Sequence, residues 1–219
     1  LRDRSDRAYL VNALGTHHVA LACLEQGAAM AYISTDYVFD GTKGSPYLEY
    51  DDPNPISVYG RTKLAGERCV QSLLDRHYII RTSWLYSNTG RNFVKTILSR
   101  GRSGMLRGVV DEIGSPTYAK DLADVIASLV RRNAYGVYHL ANEGVCSRHE
   151  FICKIVEMAR FDAAVKPVTA DEFLKDNPLP ARRPRYSALK NFCAARSLGI
   201  TLRPWQEALA EMLSFEMGE

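Results

Sequence analysis

AMAYIS at residues 29–34, TDYVFDGTKGSPYLEYDDPNPIS on to residue 57, and VYGRTKLAGERCVQSLL from residue 58 form the stretch that decides the reading of this chain. AMAYIS is short, nearly all apolar and bounded by turn formers, so it predicts a strand buried on both faces, as in a parallel sheet. The connection after it is rich in Asp, Gly, Pro and Tyr. A loop that long within a compact domain is usually functional or disordered, and Tyr37, Phe39, Tyr47 and Tyr50 within it favour order. A helix is predicted from about Val58 to Leu74, with Pro55 and Ser57 near its start as N-terminal signals.

Working outward, Ser5 to about Gln26 reads as one helix. Ala8, Val11, Asn12, Gly15, Val19 and Ala22 recur at spacings of three and four, and Gly27 follows as a C-cap. Downstream, HYIIRTSWLY (77–86) contains a strand, RNFVKTILSR a helix, residues 105–110 a short strand and AKDLADVIASLVRR (119–132) a periodic helix. YGVYHLA is a strand. SRHEFICKIVEMAR is a helix whose Ser147 and Glu150 have capping-box spacing. VKPVTADEF, a Pro-rich stretch around Pro178 to Pro184, and helices near 187–197 and 204–217 complete the chain. Strands alternating with helices predict an α/β fold, a mostly parallel sheet with helices on both faces. Residues 1–90 would form the sheet domain. Residues 91–219 would form mainly a smaller C-terminal lobe, with segments returning to the sheet.

The bulk numbers exclude several classes. With 219 residues, 46% hydrophobic, the chain can bury one good core. Its 28 Lys plus Arg against 25 Asp plus Glu give a formal charge of only +3, with no basic stripe of the kind nucleic acid requires. No apolar run approaches the ~20 residues that span a bilayer, and the first residues lack the apolar core of a signal peptide. Cys23, Cys69, Cys146, Cys153 and Cys193 are scattered and odd in number, so they read as reduced thiols of a cytoplasmic protein.

Chemistry enters with Tyr59 and Lys63. At i and i+4 near a helix start they share one face. A free tyrosine has a pKa near 10; a neighbouring ammonium and the positive helix end both favour the phenolate, which suits Tyr59 to act as general acid toward a carbonyl oxygen. Thr35 stands at the carboxyl end of AMAYIS, where open α/β sheets bind ligands, and its hydroxyl can reach the same carbonyl.

ISTDYVFDG followed by DPNPISVYGRTKLAGE resembles the extended short-chain dehydrogenase/reductases, and within them the dTDP-4-dehydrorhamnose reductase family. VNALGTHHVALAC, RTSWLYSNTGRNFVKTIL, DEIGSPTYAKDLA, YGVYHLANEGVCSRHEFICKI and RPRYSALKN with ITLRPWQEAL follow the family layout in order and spacing. The resemblance implies a Rossmann-type sheet and a C-terminal substrate lobe. It also implies NADPH or NADH as cofactor and reduction of the 4-keto group of dTDP-4-dehydro-L-rhamnose to dTDP-L-rhamnose.

On that resemblance Tyr59 protonates the C4 carbonyl oxygen, Lys63 binds the nicotinamide ribose and depresses the tyrosine pKa, and Thr35 orients the ketone. Asn12 matches the asparagine that supports a proton relay and the cofactor. Asp36, Tyr37 and Trp84 match residues facing the sugar, and Asn92 with Phe93 marks where the nucleotide-sugar lobe begins. Arg182, Arg183 and Arg185 form a basic cluster in a loop, which reads either as facing the substrate diphosphate by bidentate pairing or, for two of the three, as a solvated charge run. Arg81 reads as a salt-bridged structural arginine, and Pro116 with Thr117 as the pocket wall. Glu112 stands where family members often carry glutamine. Some members are reported with magnesium; Asp36, Asp40, Glu49, Asp51 and Asp52 read instead as turn formers and solvated faces, so no metal ligands are assigned.

The superfamily's glycine loop, G-x-x-G-x-x-G, is not found in these residues; GTKGSPYLEY and GRSG lack the strand–loop–helix context it needs. The family layout puts that loop and the N-terminal strands before Leu1, in roughly 60–80 residues, and a chain without it is expected to bind nicotinamide nucleotide poorly. Other activities compatible with the residues are a nucleotide-sugar epimerase or dehydratase of the same superfamily, or a non-catalytic binding or regulatory subunit. The partner is then a nucleotide sugar rather than nucleic acid or membrane, and a homodimer is compatible with the helices.

Overall fold

AMAYIS is a strand, and the hydrophobic alternation of its neighbours shows how it is covered. The computed structural model describes residues 2–101, 104–176 and 182–217. In chain order these are α1 (Arg2–Tyr9), a π-helical turn (Leu10–Gly15), α2 (Thr16–Glu25), β1 (Met30–Thr35), a 3-10 turn (Asp36–Val38), α3 (Val58–Leu73), β2 (His77–Thr82), β3 (Leu85–Tyr86) and α4 (Phe93–Arg100). There follow β4 (Met105–Val109), β5 (Ile113–Gly114), β6 (Thr117–Tyr118), α5 (Ala119–Arg131), β7 (Gly136–His139), β8 (Cys146–Ser147) and α6 (Arg148–Met158). The last elements are β9 (Ala164–Val168), α7 (Ala170–Asp176), α8 (Phe192–Leu198) and α9 (Trp205–Met217).

β1, β2 and β7 form a parallel sheet in that order, with Thr35 opposite Thr82 and Arg81 opposite His139. Successive side chains of β2 point to opposite faces. Ile79 packs with Ala20, Tyr32, Val70 and Leu74 under α2 and α3. Tyr78 and Ile80 pack with Leu122, Leu129, Ala194 and Leu202 under α5 and α8. Helices therefore cover both faces of β2, but β1 is an edge strand of this sheet with Ala31 and Ile33 exposed, so the expected burial of AMAYIS on both faces holds on one face only.

A second core gathers Tyr86, Val94, Ile97, Leu106, Phe151, Ile155, Trp205, Leu209 and Met212 from β3, α4, β4, α6 and α9. Burying side chains of this size stabilises by about 1.5–3 kcal/mol each. Short pairings brace this part: β4 with β9 and β3 with β6, both parallel, and β5 with β8, antiparallel. No helix among the described residues is long and apolar enough to cross a membrane.

Two helices differ from expectation. The helix predicted over 5–26 is interrupted at the π-helical turn, where the Thr16 and Tyr32 hydroxyls both donate to the carbonyl of Asn12 (2.8 and 3.3 Å). Insertion of side-chain donors into the carbonyl ladder is a known cause of such breaks. The helix expected from 187 begins at Phe192, because residues 186 and 189 are held by bridges to Ile113 and Tyr47. Of the Pro-rich stretch, residues 178–181 lie outside the described residues, as do 102–103 of GRSG.

Candidate active site

α3 brings Tyr59 to the end of β1 through one close approach. Ser57 caps the helix, its hydroxyl accepting from the Gly60 N–H at 3.0 Å. A Cβ on Gly60 would lie 2.0 Å from the Tyr37 carbonyl oxygen, so only a hydrogen lets the helix start abut the turn after Thr35. The rings of Tyr37 and Tyr59 meet edge-on at 5.9 Å. Thr35, Asp36 and Tyr59 then line one cavity of about 200 Å³ with Ile33, Ser34, Thr82, Ser83, Trp84 and Leu85.

The hydroxyl of Thr35 accepts from the Tyr37 N–H (3.2 Å) and donates to Asp36 Oδ1 (3.1 Å). The other Asp36 oxygen accepts from Ser187 at 2.6 Å. Burial pushes the Asp36 carboxyl up to about 6 against the lowering effect of these two hydroxyls. The Thr82 hydroxyl, on the adjacent strand, lines the same cavity and has no hydrogen-bond partner among the described residues.

Lys63 lies one turn beyond Tyr59. Its ammonium sits 4.0 Å from the centre of the Tyr32 ring and makes no described hydrogen bond or ion pair. Burial lowers its pKa to about 8, partly offset by Glu67. The Tyr32 hydroxyl is shared between the Lys63 and Asn12 carbonyls (3.2 and 3.3 Å), while the Asn12 amide donates to Thr62 at 3.0 Å. A Cβ on Gly66 would meet Asn12 O at 2.5 Å, so this glycine admits the Asn12 turn against α3.

The charge argument for Tyr59 is corrected here. Its pKa is raised, burial being the largest cause; the hydrogen bond with Thr35 lowers it and the Asp36 charge raises it. The Lys63 ammonium, directed onto Tyr32, does not offset that burial.

Trp84 stands at the cavity mouth with a backbone φ of 46°, a conformation that costs a non-glycine residue about 1–3 kcal/mol and clusters at functional sites. Arg148 stacks on its ring, 3.4 Å from the centre.

The other predicted residues fall elsewhere. Asn92 caps α4: its oxygen accepts from Lys95 N–H and its amide donates to the Ser87 carbonyl. Both ends of that amide are committed, and Asn92 is not among the residues lining the cavity. Arg182 and Arg183 line a second groove of about 290 Å³ with Asp40, Ile56, Glu112 and Asp171. Arg185, in the same groove, is held by Asp111 (2.5 Å) and Asp171 (2.7 Å). Arg81 pairs with Glu67 at 2.8 Å, beneath Ser34, which also donates to Glu67. Thr117 is fully buried in the β3–β6 pair and is not among the residues that line the cavity. Asp40 is occupied by Thr42, Tyr47 and Asn54, and Asp51 by Lys43. No group of three His, Cys, Asp or Glu among the described residues could hold a metal ion.

Sequence reasoning passed over Tyr32, Thr82 and Arg148. Tyr32 and Thr82 sit in strands whose apolar pattern masks a polar atom. Arg148 sits at the first position of a capped helix, where a charge reads as solvated.

The site suits a nicotinamide cofactor in one observable respect: the Lys63 ammonium, one helical turn from Tyr59, has no hydrogen bond or ion pair among the described residues, and the buried Thr82 hydroxyl in the cavity has no hydrogen-bond partner among them. Comparison with known proteins agrees. A family model described as RmlD substrate binding domain matches residues 2–217. The spore coat polysaccharide biosynthesis protein SpsK of Bacillus subtilis is 42% identical over 209 residues, 95% of this chain and 72% of that protein. The dTDP-4-dehydrorhamnose reductase of Mycobacterium tuberculosis is 41% identical over 216 residues, 94% of this chain and 69% of its own length. A crystal structure of dTDP-4-dehydrorhamnose reductase from Bacillus anthracis, in complex with NADP, superposes with a TM-score of 0.92 at 40% identity, over 96% of this chain and 74% of that one. With the fold, the site and these matches in agreement, the chain belongs to the dTDP-4-dehydrorhamnose reductase family of the extended short-chain dehydrogenase/reductases.

Proposed function

We propose that this chain reduces the 4-keto group of dTDP-4-dehydro-L-rhamnose to dTDP-L-rhamnose. The observation that carries the reading is one cavity shared by Thr35 and Tyr59 at the end of β1, with Lys63 one turn further along α3. NADPH or NADH, when bound, supplies the hydride to C4. Lys63 holds the ribose hydroxyls through its free ammonium donors, and Asn12 steadies that end through Thr62. Thr35 turns its hydroxyl from Asp36 to the ketone oxygen and fixes its position. Tyr59 donates its proton to that oxygen as the hydride arrives, so the product is a neutral alcohol. The raised pKa of Tyr59 keeps the phenol protonated until then. Asp36 and Tyr37 bound the sugar side, and Trp84 closes the mouth. Asn92 supports the substrate lobe by capping α4, and Arg182 serves the nucleotide end.

In this reading residues 1–90 form the catalytic domain, and 91–219 mainly the substrate lobe, with β7 and α8 returning to the sheet. The homodimer is supported by an apolar groove lined by Tyr9, Leu10, Ala13, Leu14, His17 and Cys69, and sedimentation tests it. A cytoplasmic location is supported by the five free cysteines, and cell fractionation tests it.

The function is tested by following NADPH absorbance with the keto sugar and identifying the product. A full-length protein that carries the glycine loop together with these residues is expected to consume NADPH and release the 4-hydroxy sugar, and Tyr59→Phe to fall by about 10²–10⁴-fold while still folding. A product with an unreduced ketone, or a Tyr59→Phe variant as fast as the parent, refutes it.

A further inference from the structure

The catalytic cavity has Trp84 in its wall, and the arginine-lined groove has Glu112 in its wall. One side chain touches both residues. The Arg148 guanidinium stacks on Trp84, with its Nε 3.9 Å from Glu112 Oε2, and the Arg148 backbone N–H donates to the Glu112 carbonyl at 3.1 Å. Arg183 reaches the same Glu112 oxygen from the groove side at 3.5 Å.

These contacts are loose. The Arg81–Glu67 pair is a two-pronged fork closing at 2.8 Å, and so is Arg203–Asp121. Such charge-assisted bonds normally close at about 2.7–2.9 Å. Arg148 makes no such fork, and its buried Nε is without a hydrogen-bond partner among the described residues. Two guanidinium groups thus share one carboxylate at 3.5 and 3.9 Å, and the buried Nε of Arg148 is left unsatisfied. A buried, unsatisfied donor is costly to a fold unless a ligand completes it.

We propose that Arg148, with Arg183, grips the diphosphate that links the sugar to the nucleoside, and that Glu112 is its place-holder in the free protein. The inference rests on the reductase reading: the keto sugar fills the first cavity, the nucleoside lies toward the second, and the diphosphate falls between them, where the planar fork of Arg148 can bind two phosphate oxygens. Stacking on Trp84 holds the guanidinium flat, so it is already oriented before substrate arrives. Binding moves Glu112 from opposing two cations to facing an anion, so this carboxylate limits affinity for the diphosphate and favours its release.

The test is calorimetric titration of the full chain with dTDP and, separately, with thymidine, together with steady-state assays. Arg148→Ala is expected to weaken dTDP at least tenfold, to leave thymidine within twofold, and to raise KM more than it lowers kcat. Arg148→Lys keeps the charge without the fork and recovers only part of the loss. Glu112→Gln is expected to tighten dTDP about threefold. If Arg148→Ala does not fold, the other two variants decide: weaker with lysine and tighter with glutamine supports the clamp, and no change in either overturns it. Equal losses for dTDP and thymidine would make Arg148 only a prop for Trp84 and overturn the clamp. A parent protein that binds dTDP and reduces the keto sugar, with Arg148→Ala unchanged, refutes the clamp alone. A parent that does neither refutes the reductase reading and the clamp with it.

Discussion

Gly60→Ala is the substitution that most directly couples packing to chemistry in this protein. The backbone of Gly60 lies in the ordinary helical region, so alanine has no conformational objection to it, and in an exposed helix the change would stabilise by about 0.8–1.0 kcal/mol. Here the new Cβ would stand 2.0 Å from the Tyr37 carbonyl oxygen and 2.9 Å from Pro55 Cβ. Carbon and carbonyl oxygen settle at about 3.3 Å, so the start of α3 and the turn after Thr35 must separate by about 1.3 Å. Overpacking of this kind costs about 1–3 kcal/mol. Net of the helix gain, stability falls by up to about 2 kcal/mol, lowering Tm by as much as about 8 °C for a chain of this size. The larger effect is on rate, because Tyr59 is the neighbour of Gly60 and Thr35 is anchored to the Tyr37 N–H. A displacement of about 1 Å between reacting groups costs about 10²-fold. The assays are kcat by NADPH absorbance and Tm by circular dichroism. A variant with kcat within twofold of the parent and a raised Tm would show that α3 is not pressed against the Tyr37 turn.

Two further expectations concern stability. Glu67→Gln leaves the Arg81 guanidinium, 7% exposed, without its counter-ion, and should lower the unfolding free energy by about 3–5 kcal/mol in urea titration; a loss under 1 kcal/mol would mean that the pair is not buried as described. Asp36 has its pKa raised from 3.8 to about 6 by burial, so between those values the folded state binds more protons than the unfolded one, and stability attributable to this group falls as pH rises from about 4 to about 6 and levels off above; urea titrations across that range should show the parent losing stability relative to Asp36→Asn by on the order of 3 kcal/mol, and a difference that grows in the opposite sense would contradict the burial of the charge.

The order of elements and the positions of Thr35, Tyr59 and Lys63 on them were legible in the residues because their signals are local. AMAYIS is apolar at every position but its last, Ser147 and Glu150 form the predicted capping box, and Gly27 takes the left-handed conformation its position demanded. Tyr59 and Lys63 share a helix face because the helix repeat puts them there. Their spacing alone is common, and the ordered motifs around it made the assignment specific.

The rest depended on distances between segments remote in the chain. Tyr59 is partly desolvated and Lys63 faces Tyr32, so the expected lowering of the tyrosine pKa is reversed. Asn92 has its amide taken by Ser87 and Lys95, which only the path of the loop before α4 decides. The π-helical turn at Asn12 arises from a hydroxyl twenty residues away in sequence. Arg148 meets Trp84 and Glu112, 64 and 36 residues away in sequence, and feels the charge of Asp36. The sequence by itself determined most of the elements and the shared helix face of Tyr59 and Lys63, since periodicity, caps and side-chain chemistry act within a few residues. The tertiary structure decided which charges are buried, which donors stay unsatisfied and what stands between the two cavities, because burial and electrostatic coupling depend on separation in space rather than along the chain.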